Sequence, residues 1–170
     1  MSEYHFVEKP FLDQLEQLGW ECIDQGLGIP KDPTKSFRKS FREVALKEQF
    51  LQSVKTINTF KGKEWLTDRQ LEELFAEITE HSTKNLLEVN KTIFGLLVNG
   101  TTVDKNEISG EEFPKVQFID FKKPSNNSFI AINQFRIDTP GTPKGFITPD
   151  IVLFVNGLPL VVVEIGRHAD

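Results

Sequence analysis

The chain has 170 residues, of which 38% are hydrophobic, and it carries a formal net charge of −5. This length is enough to bury a self-sufficient core and predicts one domain over residues 1–170. The single cysteine, Cys22, excludes a disulfide-stabilised secreted scaffold, and the acidic balance argues against a protein that coats nucleic acid through bulk positive charge.

The sequence shows no feature of a secreted or membrane protein. Its first residues lack the basic segment and apolar run that a signal peptide needs. No stretch approaches the roughly 18 apolar residues that a membrane helix requires. We therefore expect a cytoplasmic protein without membrane contact.

The first part of the chain, to about residue 99, is predicted to be helical. Apolar residues recur at helical spacing over residues 3–18, where Pro10 marks either the start of the helix or a kink. The same spacing continues over residues 35–60 and again over residues 67–98. The last of these stretches is long for one helix, so two helices are an equal alternative.

The second part, over about residues 113–165, is predicted to form a sheet. Its apolar runs are short, rich in β-branched and aromatic residues, and bounded by proline, asparagine and glycine. The last two runs, 151–155 and 160–165, flank Asn156-Gly157, which is the strongest short-range signal of a β-hairpin. We therefore predict an α+β fold in which a helical first half packs on a mixed sheet.

Two acidic residues at the open end of the hairpin are the candidates for chemistry. Asp150 begins the first hairpin strand and Glu164 lies near the end of the second. The pairing register decides whether the two share a face of the sheet. A two-residue turn at 156–157 pairs Asp150 with Val163. A three-residue turn at 156–158 pairs it with Glu164, so joint action of the two carboxylates predicts the longer turn, with a left-handed residue in it.

Two convergent carboxylates in an apolar sheet suggest a metal ion. They are costly unless a positive group lies between them, and Mg²⁺ is a hard cation that takes carboxylates, water and phosphate as ligands. Such a site can orient water for attack on a phosphodiester. The ordinary alternative is that Asp150 only begins a strand and Glu164 only ends one, and the two acidic residues alone favour that alternative.

The residues around this pair resemble the PD-(D/E)xK nuclease superfamily. The segment 148–164, Thr-Pro-Asp-Ile-Val-Leu-Phe-Val-Asn-Gly-Leu-Pro-Leu-Val-Val-Val-Glu, is similar to the nuclease core of the restriction (R) subunit of type I restriction enzymes. The segment 127–135, Asn-Ser-Phe-Ile-Ala-Ile-Asn-Gln-Phe, is similar to the strand that precedes this core. Glu8 lies where that family places a glutamate in an N-terminal helix. The resemblance spans nearly the whole chain.

This resemblance implies a restriction-endonuclease-like fold and a magnesium-dependent endonuclease domain that acts on double-stranded DNA. It implies that Asp150 and Glu164 bind Mg²⁺ and are catalytic, with Glu8 as a third acidic member. In the family, such a domain opens a longer polypeptide that carries an ATP-driven motor and assembles with modification and specificity subunits. This chain has no glycine-rich phosphate loop, so we expect it to bind no ATP itself.

One departure from the family pattern affects the expected activity. The family reads Glu-x-Lys, and its lysine stabilises charge during the reaction, whereas here the lysine position holds Gly166. Arg167 is one residue out of register and is not equivalent to lysine. The tail 166–170 is also atypical of a continuing sheet. We therefore expect a truncated and inactive form of the nuclease domain.

A non-catalytic role is the alternative. The fold could serve as a module that docks on another subunit or contacts DNA, with the helical segment 35–98 as the binding face. Another member of the nuclease superfamily, such as a repair or transposition nuclease, is a third interpretation, because a fold alone does not name a substrate.

Overall fold

A computed structural model describes residues 4–81, 85–105, 107–108 and 110–165. The α-helices within these ranges are α1 (Lys9–Gln17), α2 (Lys47–Ile57), α3 (Asp68–Thr79) and α4 (Leu86–Asn99). The strands are β1 (Glu21–Ile23), β2 (Thr59–Phe60), β3 (Lys63–Glu64), β4 (Thr101–Thr102), β5 (Lys115–Val116), β6 (Phe129–Asn133), β7 (Ile137–Asp138), β8 (Phe146–Ile147), β9 (Ile151–Val155) and β10 (Leu158–Val163). These elements confirm the α+β class.

The described helices include none that is both long and apolar enough to cross a membrane. The chain divides into two compact units, which are described separately. The first comprises Met1–Leu46 and Ser128–Asp170, and the second comprises Lys47–Asn127.

The first unit is built on a four-stranded mixed sheet with the order β1-β6-β9-β10. Strand β1 runs parallel to β6, whereas β9 is antiparallel to both of its neighbours. The carboxyl ends of β1, β6 and β10 therefore meet the start of β9 at one edge of the sheet. All residues that the sequence singled out for chemistry belong to this unit.

Both faces of this sheet are covered by apolar side chains, because successive residues of a strand point to opposite sides. On one face, Leu12 and Leu15 of α1 pack against Ala131 and Ile151. The other face contributes to a second cluster of buried residues, formed by Leu46, Ile130, Ile132, Phe135, Val152 and Phe154. Helix α1 is thus fixed on the face of the sheet to which Ile151, the first residue of β9, contributes.

The expected helix over residues 3–18 begins later as a regular α-helix. Tyr4–Glu8 forms a wide, π-type turn, and α1 follows from Lys9 with Pro10 in its first turn. Proline is tolerated there because the first backbone N–H groups of a helix have no intrahelical partner. Pro10 therefore marks a helix start rather than a kink.

The expected helix over residues 35–60 is wrong in its first part. Phe37 adopts a left-handed conformation (φ 58°), and regular helix begins only at Lys47. The guanidinium of Arg38 is buried over the ring of Phe135, 3.7 Å from its centroid, and donates to the backbone carbonyl oxygens of Glu43 and Arg136. These tertiary contacts outweigh the local helical spacing.

In the second unit, residues 67–98 form two helices rather than one, which decides between the two alternatives that the sequence left open. Thr67 caps α3 through reciprocal bonds with Gln70, and α4 begins after Asn85. The core includes Phe50, whose ring lies 5.2 Å from Phe75 between ring centroids.

The turn between β9 and β10 differs from the three-residue turn that was predicted. Asn156 (φ 50°) and Gly157 (φ 77°) form a two-residue turn, with Val155 opposite Leu158. The register then shifts by one residue between Pro159 and Val161, and a β-bulge pairs Val163 with Ile151. The predicted turn was wrong, but the bulge gives the last pairs of the hairpin the register that the longer turn would have produced.

We predict that Asn156→Ala destabilises the protein. Asn156 is fully buried, and its backbone N–H and side-chain oxygen exchange two hydrogen bonds with the backbone of Ser128, at 2.9 and 2.8 Å. Loss of the side-chain acceptor, together with the left-handed backbone, should cost about 2 kcal/mol of unfolding free energy.

Urea unfolding followed by circular dichroism measures this change. The matched control is Asn90→Ala on the exposed side of α4, which should alter stability by less than about 0.5 kcal/mol. Equal effects of the two substitutions would show that the turn does not depend on the Asn156 side chain.

Candidate functional site

The edge of the sheet in the first unit gathers six polar side chains, which we call the strand-end cluster. Each lies directly at the end of a strand, at the start of one, or on the turn that precedes α1. The members are Glu8, Asp24, Asn133, Gln134, Asp150 and Glu164. The sequence predicted three of them, namely Glu8, Asp150 and Glu164.

Asp150 accepts main-chain hydrogen bonds through both its side chain and its backbone carbonyl. Its carboxylate Oδ2 accepts a hydrogen bond of 2.7 Å from the backbone N–H of Ile165, just beyond β10. Its carbonyl oxygen accepts a second bond of 2.7 Å from the backbone N–H of Gln134. The half-buried carboxylate is therefore oriented toward the end of β10, where Glu164 follows the last paired residue, Val163.

Glu164 is more open to solvent than its partner. It lies one position beyond the pair of Val163 with Ile151 and is exposed. In the register of that pair, the next residues outward are Glu164 and Asp150, and opposite residues share a face of the sheet. The register thus provides a pair of one fixed and one accessible carboxylate.

Glu8 is the most deeply buried acid of the cluster, with a relative exposure of 5%. Its two carboxylate oxygens accept hydrogen bonds of 3.2 and 3.1 Å from the side-chain amide of Gln134. The amide of Asn133 donates a longer bond of 3.4 Å. The sequence analysis predicted a role for the glutamate but not for these two neutral donors.

The pKa of Glu8 is raised above its ordinary value, chiefly by burial. The amides of Gln134 and Asn133 oppose this rise because they stabilise the ionised form. The negative charges of Asp150 and Asp24 add to the rise. Glu8 therefore interacts electrostatically with Asp150 and Asp24.

Asp24 is an acidic member that sequence reasoning missed. It follows β1, and its carboxylate accepts bonds from the hydroxyl of Tyr4 at 2.6 Å and from the amide of Asn133 at 3.2 Å. The ammonium of Lys9 lies 3.8 Å away. An acid placed directly after a strand would have been the signal, but β1 was not predicted because it has only three residues and lies between two stretches of helical spacing.

Asn133 and Gln134 were part of the family resemblance, but no role was predicted for them. Asn133 is fully buried and connects two acids, since its amide nitrogen donates to both Glu8 and Asp24. Its side-chain oxygen accepts a bond of 2.6 Å from the backbone N–H of Gln25. A polar pair directly after an apolar strand was the available sequence signal.

The chemistry of this donor set fits a hard cation. Carboxylate oxygens predominate, and the nitrogen donors nearest to them are neutral amides. Within the described ranges, no three His, Cys, Asp or Glu side chains form a group that could by itself hold a metal ion. Mg²⁺ needs only one or two protein carboxylates because water and substrate phosphate fill its remaining positions. Gly166 and Arg167 lie outside the described residues.

Comparison with known proteins identifies the group to which this chain is similar. Residues 1–169 match the family described as "Type I restriction enzyme R protein N terminus". The chain is 31% identical over 159 residues to the "Type I restriction enzyme HindI endonuclease subunit" of Haemophilus influenzae, an alignment that covers 94% of this chain and 14% of that protein.

A second relative comes from an archaeon. Over 164 residues, the chain is 27% identical to the "Putative type I restriction enzyme MjaIXP endonuclease subunit" of Methanocaldococcus jannaschii, covering 96% of this chain and 15% of that protein. The chain thus spans only 14 to 15% of the length of these relatives. Because the match covers nearly every residue, this chain belongs to the family of the N-terminal region of type I restriction enzyme R proteins.

Proposed function

We propose that the strand-end cluster is the site of a magnesium-dependent DNA endonuclease domain. The observation that supports this proposal is the bulged register of β9 and β10, in which the last pair is Val163 with Ile151. Asp150 and Glu164 are the next residues outward from that pair. Membership of a family whose relatives are named endonuclease subunits supports it. The substrate would be double-stranded DNA, and modification and specificity subunits would be the partners.

In this proposal, Asp150 and Glu164 hold Mg²⁺. The ion would supply positive charge at the scissile phosphate and lower the pKa of water. Asp150 is oriented for this task by the amide of Ile165, and Glu164 contributes the accessible carboxylate.

Glu8 serves as the third acidic group. Its raised pKa makes it a better proton acceptor than an exposed glutamate, because an effective general base has a pKa closer to the working pH. A proton taken from water would rest on one of its two carboxylate oxygens. The amide of Gln134 keeps those oxygens in a fixed orientation.

We further propose that this chain cleaves DNA weakly or not at all. Gly166 stands where the nuclease pattern has lysine, so no side-chain cation is available at that position to stabilise charge in the transition state. ATP would be needed only by the motor that the family resemblance implies, outside residues 1–170. The cytoplasmic location stays a prediction from the sequence.

A docking module remains the second candidate, because one helix has an unusually apolar exposed surface. In the second unit, α4 contains no buried residue, and the relative exposures of Leu87 and Phe94 are 79% and 67%. Exposed apolar side chains grouped on one element are typical of an interaction site.

The metal proposal predicts that Asp150→Asn and Glu164→Gln each weaken Mg²⁺ binding at least tenfold, since each removes a charged ligand. Isothermal titration calorimetry with Mg²⁺, repeated with Mn²⁺, measures the affinity. Glu107→Gln is the control, because Glu107 is an exposed acid of the second unit. Unchanged affinity in both site variants would support the docking function.

The inactivity proposal predicts a gain of function. Gly166→Lys should raise the rate of Mg²⁺-dependent cleavage of plasmid DNA by roughly tenfold or more, because electrostatic groups of this type contribute about 10²–10³ in rate. Gly166→Gln provides a control of similar length without charge. Efficient cleavage by the unmodified chain, abolished by Asp150→Asn, would contradict the proposal.

The buried Glu8 predicts a pH-dependent stability difference. A carboxyl whose pKa is raised in the folded state favours folding most when it is protonated, so its contribution falls as the pH rises from the unfolded pKa through the folded one. Glu8→Gln removes this loss. We compare the free energy of unfolding of the variant with that of the original chain, both without metal. This difference should favour the variant more at pH 7 than at pH 4.

Urea unfolding at the two pH values provides this comparison. Glu107→Gln should leave the difference between pH 4 and pH 7 unchanged, because its carboxylate is exposed. The interpretation of Glu8 is wrong if the effect of Glu8→Gln is the same at both pH values.

A further inference from the structure

Gln134 has a backbone conformation that few side chains adopt. It follows β6 with φ of 48°, in the left-handed region, although it is not glycine. Such a conformation costs free energy and persists only where the surrounding contacts determine it. Non-glycine residues of this kind cluster at functional sites.

The contacts that determine this conformation are main-chain bonds to the segment before β9. The backbone N–H of Gln134 donates to the carbonyl oxygen of Asp150 at 2.7 Å, and that of Phe135 donates to Pro149 at 3.0 Å. Phe135 is fully buried, and its ring lies 5.1 Å from that of Phe154 between centroids. The peptide that carries Gln134 is therefore anchored in the core and bonded directly to Asp150.

The side chain of the same residue reaches a different element. Its Nε2 lies 3.1 and 3.2 Å from the two carboxylate oxygens of Glu8, which precedes α1. Gln134 thus contacts Asp150 through its main chain and Glu8 through its side chain. A change at this one residue alters the position of one acid relative to the other.

The chemical character of the donor matters for a cation site. An amide orients a carboxylate by hydrogen bonding but carries no charge, so the negative charge of Glu8 is not cancelled. A lysine or arginine in the same place would form an ion pair and compete with a metal ion for the carboxylate. The adjacent Asn133 repeats this arrangement, because its amide bridges Glu8 and Asp24.

We propose that Gln134 is a positioning residue that sets the Glu8 carboxylate relative to Asp150, so that Glu8 strengthens divalent cation binding at the strand-end cluster. This inference rests on the proposed metal-dependent function. It adds a residue that acts through Glu8 rather than on the cation.

The test is a double-substitution cycle with Gln134→Asn and Glu8→Gln. Asparagine tolerates the left-handed backbone and keeps the N–H that bonds to Asp150, but its side chain is one methylene too short to retain the bonds to Glu8. Calorimetric titration with Mg²⁺ and Mn²⁺ measures the affinity of the full chain. Gln17→Asn, at an exposed position of α1, is the matched control.

We expect each single substitution to weaken cation binding by about tenfold, as is typical when a group that orients the ligands of a metal is lost. The double variant should be no weaker than the more affected single variant, because both substitutions interrupt the same interaction. This coupling separates positioning from general destabilisation, because in the latter case the losses of the two single variants would add in the double variant. Gln134→Met, which has similar length but no donor, should reproduce the loss if Gln134→Asn fails to fold.

The remaining outcomes identify which proposal fails. If Asp150→Asn weakens binding but Gln134→Asn does not, the positioning role is overturned and the metal site stands. Additive losses in the double variant would also overturn it. If the original chain binds neither cation, or if Asp150→Asn has no effect, the metal-dependent function fails and the positioning role fails with it.

Discussion

The bulge between Pro159 and Val161 is the constraint on which the candidate site depends. Side chains alternate across a strand with a period of two, so a shift of one residue moves a side chain to the other face. The tight turn at Asn156 and Gly157 alone would have paired Asp150 with Val163. The one extra residue in β10 corrects this register. Pro159 suits the irregular stretch because it has no N–H to donate to a ladder.

The second physical feature is the way in which negative charge is tolerated at this sheet edge. Glu8 is nearly inaccessible to solvent, and the negative charges of Asp150 and Asp24 act on its carboxylate. Its hydrogen-bond partners are the neutral amides of Asn133 and Gln134 rather than cations. Under the proposed metal-dependent function, a bound cation would stabilise this site, because it would relieve the repulsion that the neutral amides leave in place.

Local patterns in the sequence predicted the elements whose stability is local. The Asn-Gly signal identified a hairpin, which is a structure that short-range bonds determine. Residues 37–46 show the limit of such patterns. The buried Arg38 satisfies distant backbone oxygens and packs on Phe135, and no spacing rule reports contacts of that range.

The candidate site divides in the same way. Asp150 and Glu164 were accessible to sequence reasoning because both flank one hairpin, although the length of the turn was wrong. Asp24 and the role of Gln134 were not, because they depend on β1 lying beside β6 and on a left-handed backbone residue. Such features arise from pairing between segments more than a hundred residues apart, as in the bonds of Gln25 with Asn133 (sequence separation 108).

The proposed catalytic and docking functions do not compete for the same residues. The strand-end cluster lies wholly in the first unit, and the exposed apolar side chains of α4 lie in the second. With glycine at position 166, the proposed nuclease site lacks a charge that its chemistry would need. The residues of α4 are unchanged by this difference. A chain that has lost cleavage can therefore keep an interaction surface, and retained metal affinity would distinguish a silent nuclease site from a fold that never bound a cation.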